Sequence, residues 1–298
     1  MRLAAIDIGS NAARLLIIDV INTPDGKKDF IKLNLVRVPL RLGFDVFEKG
    51  EISKSKVKKV VETIKAYRHL INIYDVKHII AAATSAMRDA KNADDILRRV
   101  KLETDIDIEI ITGDKEASLI YENHVAENMD KDHSYLYIDV GGGSTEMTFF
   151  AEGKMIFKES FNIGTIRLLK NQVEDSQWQE MKDYVKLATK DYKKVIAIGS
   201  GGNINKVFSL SKRKEGKPLS WESLRDFHKE FSNFTIAERM HYYKLREDRA
   251  DVIVPALLIY INVMRWAGAD EIYVPKIGLA DGLIHKLYEE VKLQDVEV

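Results

Sequence analysis

Apolar residues recur along the chain with two periods, and the alternation between them sets an order of elements. LAAIDIG, ARLLIIDVI and DFIKLNLVRV, in the first 38 residues, read as three strands, with a turn at Pro24-Asp25-Gly26 before the third. A helical pattern follows over 53–73, then strand HIIAAAT at 78–84, a helix near 92–103 and strand IDIEIIT at 106–112. The same order begins again at Tyr135. YLYIDV, TEMTFF and KMIFKES are strands, the last two joined by a two-residue turn at Glu152-Gly153. Helical material over 164–191 leads to strand KVIAIGS at 194–200, a helical insert over about 203–269, strand EIYVP at 271–275 and a last helix over 279–293. Both halves therefore read βββαβαβ, an internal duplication that predicts α/β domains with mixed sheets covered by helices. The expected domains are 1–124, with the C-terminal helix 282–298 packing back on it, and 125–281.

Composition narrows the classes. The 298 residues are 45% hydrophobic and 31% charged with zero formal net charge, so any attraction to anions has to be local rather than global. Neither nucleic acid nor a membrane is an expected partner, since no basic-aromatic interleaving is present. The longest charge-free apolar stretch, Val252 to Met264, is shorter than the ~18–20 residues of a span. The N-terminus reaches Asp7 too soon for a secretory apolar region. Cysteine is absent, which removes disulfides, thiolate metal sites and cysteine nucleophiles and suits a reducing cytoplasm. The seven histidines show no zinc spacing. Trp178, Trp221 and Trp266 fall in helical patterns and read as packing residues.

Chemistry concentrates in three glycine-rich turns, each at the C-terminal end of a strand: DIGSN at 7–11, DVGGGST at 139–145 and GSGGN at 199–203. Such turns bend sharply and bring successive backbone N–H groups into one concavity, which suits a phosphate. The expected phosphate ligands are Gly141, Gly142, Gly143, Gly199, Ser200 and Gly201, with side-chain donors from Ser10, Asn11, Ser144 and Thr145. Neither a Gly-x-Gly-x-x-Gly nor a Gly-Lys-Ser/Thr motif is present, so dinucleotide and P-loop folds are disfavoured.

Eight ordered segments, among them AAATSAMRDAKN at 81–92, ITGDKEASLIY at 111–121, YIDVGGGSTEM at 137–147, NIGTIRL at 162–168 and GLADGLI at 278–284, give the chain its resemblance to the exopolyphosphatase / guanosine pentaphosphate phosphohydrolase family. That family lies within the actin, hexokinase and Hsp70 superfamily. The resemblance implies two ribonuclease H-like (actin-like ATPase) domains with an interdomain cleft. It implies that Glu116 aligns the attacking water, and that Asp139 and Glu146, with Asp7 as the matching acid of the first half, hold Mg²⁺ or Mn²⁺. Arg88 would clamp a phosphate oxygen, and Arg249 is a candidate for the polyanion path. The implied activity is metal-dependent release of orthophosphate from inorganic polyphosphate. Guanosine pentaphosphate is the alternative substrate, with entry of a nucleoside at GSGGN, and a non-catalytic polyphosphate or nucleotide binder is a further one. Three positions depart from the family pattern: Lys115 stands where a second acid is common, and Ala12 and Ala13 where serine and a bulky aromatic are common. The chain resembles the short, two-domain form. A homodimer through the helix-rich second domain is compatible with it.

Overall fold

The structure is a computed structural model that describes residues 1–122, 133–275 and 278–296; of the side chains, 114, 117, 120–122 and 294–296 are outside the description. The chain divides into two compact units, Met1–Asn123 with Gly278–Val298, and His124–Ile277. The expected boundary at 124/125 lies outside the described residues.

The first unit contains β1 (Arg2–Ile8), β2 (Ala12–Asn22), β3 (Lys28–Pro39), α1 (Gly43–Lys49), α2 (Lys54–Ile73), β4 (His78–Ala83), α3 (Ser85–Asp89), α4 (Ala93–Thr104), β5 (Glu109–Ile110) and α5 (Gly113–Glu122). Its sheet has the order β3-β2-β1-β4-β5. β1, β2 and β3 pair antiparallel, whereas β1, β4 and β5 run parallel. β1 is covered on both faces, so its sequence is a continuous apolar run instead of an alternation. β3 is an edge strand, and its bulge opposite Ile17/Ile18, its Lys28, Lys32 and Arg37, and its terminal Pro39 guard that edge against further pairing. The strand expected over 106–112 pairs only at Glu109 and Ile110, against Ala82 and Ala83.

The second unit contains β6 (Ser134–Val140), β7 (Thr145–Ala151), β8 (Lys154–Phe161), α6 (Thr165–Leu169), α7 (Asp175–Thr189), β9 (Val195–Ser200), α8 (Gly202–Leu210), β10 (Leu219–Ser220), α9 (Trp221–Ser232), α10 (Ile236–Tyr243), α11 (Glu247–Ala250), α12 (Ile253–Ala267) and β11 (Glu271–Tyr273). The order is β10-β11-β9-β6-β7-β8, again mixed. The turn between β7 and β8 has φ of 53° at Glu152 and 73° at Gly153, as a two-residue hairpin with two left-handed positions requires. The insert over 203–269 is not wholly helical: Leu219 and Ser220 form β10, which pairs antiparallel with β11.

α12 is the apolar helix at the centre of this unit's core, with Ile253, Ala256, Leu257, Ile259, Tyr260, Val263, Met264 and Ala267 buried. Counted together with the turn before it, Glu247–Ala267 reaches 21 residues and is long and apolar enough to cross a membrane, more than the 252–264 stretch alone suggests. Here its apolar faces pack on the sheet and on neighbouring helices.

The last helix, α13 (Leu279–Val296), belongs to the first unit. Leu279, Leu283, Ile284, Leu287, Tyr288 and Val291 form one face and pack on Leu3 and Ala5 of β1 and Leu16, Ile18 and Val20 of β2.

Candidate active site

Each unit carries its candidate residues at the C-terminal ends of its parallel strands, the edge where open α/β sheets bind ligands. In the first unit the turn from β1 to β2 is closed by the Gly9 N–H donating to the Ala12 carbonyl at 3.0 Å. The Ser10 carbonyl accepts from the Gly43 N–H and the Asn11 carbonyl from the Arg41 N–H, both at 2.9 Å. N–H and C=O point in opposite directions across a trans peptide. Holding these two carbonyls therefore turns the amides of Asn11 and Ala12 away from residues 41–43. The Ser10 and Ser85 hydroxyls are 2.8 Å apart, which ties this turn to the one after β4.

The second unit repeats the construction with a longer loop. The Gly141 N–H donates to the Ser144 carbonyl at 2.9 Å, matching the Gly9 bond. Behind the loop, the Gly141 and Gly142 carbonyls accept from the N–H groups of Thr165 and Ile166 at 3.0 and 2.8 Å, and the Gly143 carbonyl accepts from Arg167 Nε at 2.7 Å. Three carbonyls in a row are thus held from one side, and the amides of Gly142, Gly143 and Ser144 are turned to the other. Thr145 is fully buried and donates its hydroxyl to the Ile163 carbonyl at 2.6 Å, so it acts as a brace for the loop. The segment NIGTIRL is the back plate of this loop, and Gly164 is its closest approach: a Cβ there would lie 2.5 Å from Gly142 and Gly143 backbone atoms.

The acids at the two ends of DVGGGSTE face each other. Asp139 and Glu146 are register partners across β6 and β7. Glu146 is 3% exposed, and its Oε1 accepts from the hydroxyls of Ser144 at 2.5 Å and Ser160 at 3.0 Å. Like charges directly opposite on antiparallel strands are unfavourable, and two carboxylates beside phosphate oxygens are a donor set that suits a hard divalent cation. Among the described residues no group of three His, Cys, Asp or Glu side chains forms a metal cluster. The fit to Mg²⁺ or Mn²⁺ therefore depends on this pair together with substrate oxygens.

The corresponding pair in the first unit is different. Asp7 is opposite Arg14, seven residues on, as Glu146 is seven residues on from Asp139. Arg14 Nη1 donates to Asp7 Oδ2 at 2.9 Å. Asp7 is thus charge-paired within its own unit. Burial pushes the Asp7 carboxyl above its ordinary value, and the opposing pull of Arg14 does not cancel the effect. The native carboxyl consequently holds its proton more tightly than the unfolded chain does. Relative to an Asp7→Asn variant, wild-type stability is expected to fall as pH rises from the unfolded value of 3.8 through the raised native value, and to level off above it. Urea unfolding of both proteins from pH 4 to 7 checks the sign.

Glu116 is half-buried in the first turn of α5. Thr112 caps this helix, its Oγ1 accepting from the Lys115 N–H at 3.2 Å, and its carbonyl accepts from the Glu116 N–H at 3.0 Å. Arg88 Nη1 donates to the Ile111 carbonyl at 3.0 Å, so at least one of its donors braces the loop that presents Glu116. Lys115, the departure from the family pattern, pairs with Glu109 on β5.

In the third turn, Gly201 has φ +102° and Gly202 lies under the Arg249 guanidinium, 2.5 Å from where a Cβ would be. Arg249 Nη1 also donates to Asn203 Oδ1 at 2.6 Å. A Cβ on Gly201 would be 2.8 Å from Asp139 Oδ1, and one on Gly199 would be 2.7 Å from Ile272 Cδ1. Asp139, the 141–145 loop, Glu146, Gly199–Gly201 and Arg249 are thereby gathered within the second unit. Asp7, Ser10, Asn11, Arg88 and Glu116 lie on neighbouring strand ends of the first. Arg14, Gly164, Arg167 and Ser160 were not singled out from sequence. For Arg14 the repeated seven-residue spacing was the available signal.

The whole chain has relatives of this construction. It is 32% identical over 317 aligned positions to the bifunctional 3-dehydroquinate synthase/phosphatase of Fusobacterium nucleatum, covering 97% of this chain but only 46% of that protein. It is 24% identical to exopolyphosphatase 1 of Mycobacterium tuberculosis, over 95% of this chain and 87% of that one. The crystal structure of an exopolyphosphatase from Cytophaga hutchinsonii superposes with a TM-score of 0.84 at 26% identity, covering 97% and 98% of the two chains. The two mixed, open sheets are accordingly a pair of actin-like domains. Residues 24–291 match the model of the Ppx/GppA phosphatase family, and the chain belongs to that family.

Proposed function

We propose that this protein is an exopolyphosphatase, which hydrolyses the terminal phosphoanhydride of inorganic polyphosphate and releases orthophosphate. The observation that carries the proposal is the 141–144 loop, with three carbonyls held from behind beside the Asp139–Glu146 pair. Relatives named exopolyphosphatase supply the substrate class.

In this account the amides of Gly142, Gly143 and Ser144 bind non-bridging oxygens of the terminal phosphate. They are oriented before substrate arrives, so little reorganisation is needed as charge shifts in the transition state. Glu116 orients a water in line with the scissile bond and accepts its proton. Arg88 steadies the Glu116 loop through Ile111. Asp139 and Glu146 would hold a divalent cation, which when bound supplies charge neutralisation to the phosphate oxygens.

Chelation tests the acid pair. With EDTA present, binding of a non-hydrolysed polyphosphate analogue is expected to weaken by about ten-fold or more, because the cation that would link the two carboxylates to the phosphate oxygens is removed. Isothermal titration with and without EDTA measures this. Unchanged affinity would assign Asp139 and Glu146 a structural role only.

A further inference from the structure

Tyr260 is 1% exposed in the middle of α12, and packing accounts for its ring but not for its hydroxyl. That hydroxyl donates to the Ser200 carbonyl at 2.5 Å and so ties the core helix to the third glycine turn. The tie lies beside Asp139. The point where a Gly201 Cβ would stand is 3.9 Å from the Tyr260 hydroxyl oxygen and 2.8 Å from Asp139 Oδ1. The carboxylate therefore rests against the Cα of a glycine whose preceding peptide is fixed by the phenol. Gly201 has φ +102°, a region that only glycine occupies readily, and glycine gives the peptide freedom to rotate unless something holds it.

In the other two turns the carbonyls are held by a following segment, through backbone amides and, at Gly143, the Arg167 guanidinium. Here a side chain holds the carbonyl from a rigid apolar helix. We propose that Tyr260 is a positioning residue for Asp139: its hydroxyl pins the Ser200–Gly201 peptide, and the pinned turn sets the direction of the Asp139 carboxylate. What the carboxylate serves rests on the exopolyphosphatase proposal; the positioning itself does not.

Tyr260→Phe keeps the ring and removes the pin. Loss of one buried hydrogen bond corresponds to about ten-fold in a local equilibrium. Backbone hydrogen exchange across 199–203 is expected to speed up by about ten-fold, with the urea midpoint lowered only slightly. Mn²⁺ titrated in the presence of a non-hydrolysed polyphosphate analogue is expected to bind more weakly, and kcat to fall while KM for polyphosphate stays near its original value. Unchanged exchange at 199–203 together with unchanged Mn²⁺ affinity would overturn the proposal and leave Tyr260 a packing residue. Should the variant not fold, Gly201→Ala intrudes on Asp139 from the same turn, and undiminished Mn²⁺ affinity in it would count equally against the idea. A wild-type protein that releases no phosphate sinks the exopolyphosphatase reading alone, because hydrogen exchange still decides the role of Tyr260.

Discussion

Replacing Glu116 by glutamine is expected to lower orthophosphate release by about 10²–10⁴-fold, the range for loss of a positioned general base, with KM for polyphosphate within about three-fold of wild type. Glutamine keeps the shape of the side chain and its place in the first turn of α5, and Thr112 still caps the helix. What is lost is the ability to accept a proton from water. An effect mainly on KM would make Glu116 a substrate-binding residue, and wild-type turnover would remove it from the mechanism. Lys115 is the useful comparison. Its partner is Glu109, so Lys115→Glu is expected to disturb the end of β5 more than the chemistry.

The second large effect is expected at Gly164. Its backbone, with φ −137° and ψ 165°, is one that alanine adopts without strain. The space is what is missing: a methyl group would be 2.5 Å from the carbons of Gly142 and Gly143 and from the Gly142 oxygen, all backbone atoms. The loop or the start of α6 has to shift, and the carbonyls held by Thr165, Ile166 and Arg167 shift with it. Gly164→Ala is expected to cost about 1–3 kcal/mol in urea unfolding and about 10²-fold in turnover, since small displacements of positioning groups are that costly. Gly153→Ala is the control. Gly153 has φ +73° but nothing within 4 Å, so that variant is expected to lose stability through backbone strain alone, roughly 1 kcal/mol, and to keep its turnover.

The elements that sequence made legible are those with strong periodic or turn signals. The alternating and continuous apolar runs of β1, β2, β6 and β7 and the long apolar face of α2 are of this kind. The Glu152-Gly153 turn is fixed by its two left-handed residues. Short pieces were not legible. α1 and α3 have seven and five residues, too few for a periodic pattern. β10 has two residues and exists only because β11 offers it an edge, which is a tertiary fact. The 106–112 run contains buried Ile106, Ile108 and Ile111, yet only two of its residues reach the ladder.

At the candidate site the glycine turns were legible because their chemistry is local. The supports were not, because they come from far along the chain: Thr165 and Arg167 for Gly141–Gly143, Gly43 for Ser10, Tyr260 for Ser200. Nor did sequence reveal that Asp139 and Glu146, at the two ends of the loop, stand directly opposite each other, which follows from the hairpin register. The same register separates the two halves chemically, since it places an arginine opposite Asp7 and a glutamate opposite Asp139.

The most direct test is orthophosphate release by the purified protein from inorganic polyphosphate of short and long chain length, with Mg²⁺ or Mn²⁺ and with EDTA, and with guanosine pentaphosphate in parallel. Steady metal-dependent release from polyphosphate, absent in Glu116→Gln, is the expected result. Folded wild-type protein that releases no phosphate from polyphosphate of any length with either metal, or that acts on guanosine pentaphosphate alone, would contradict it.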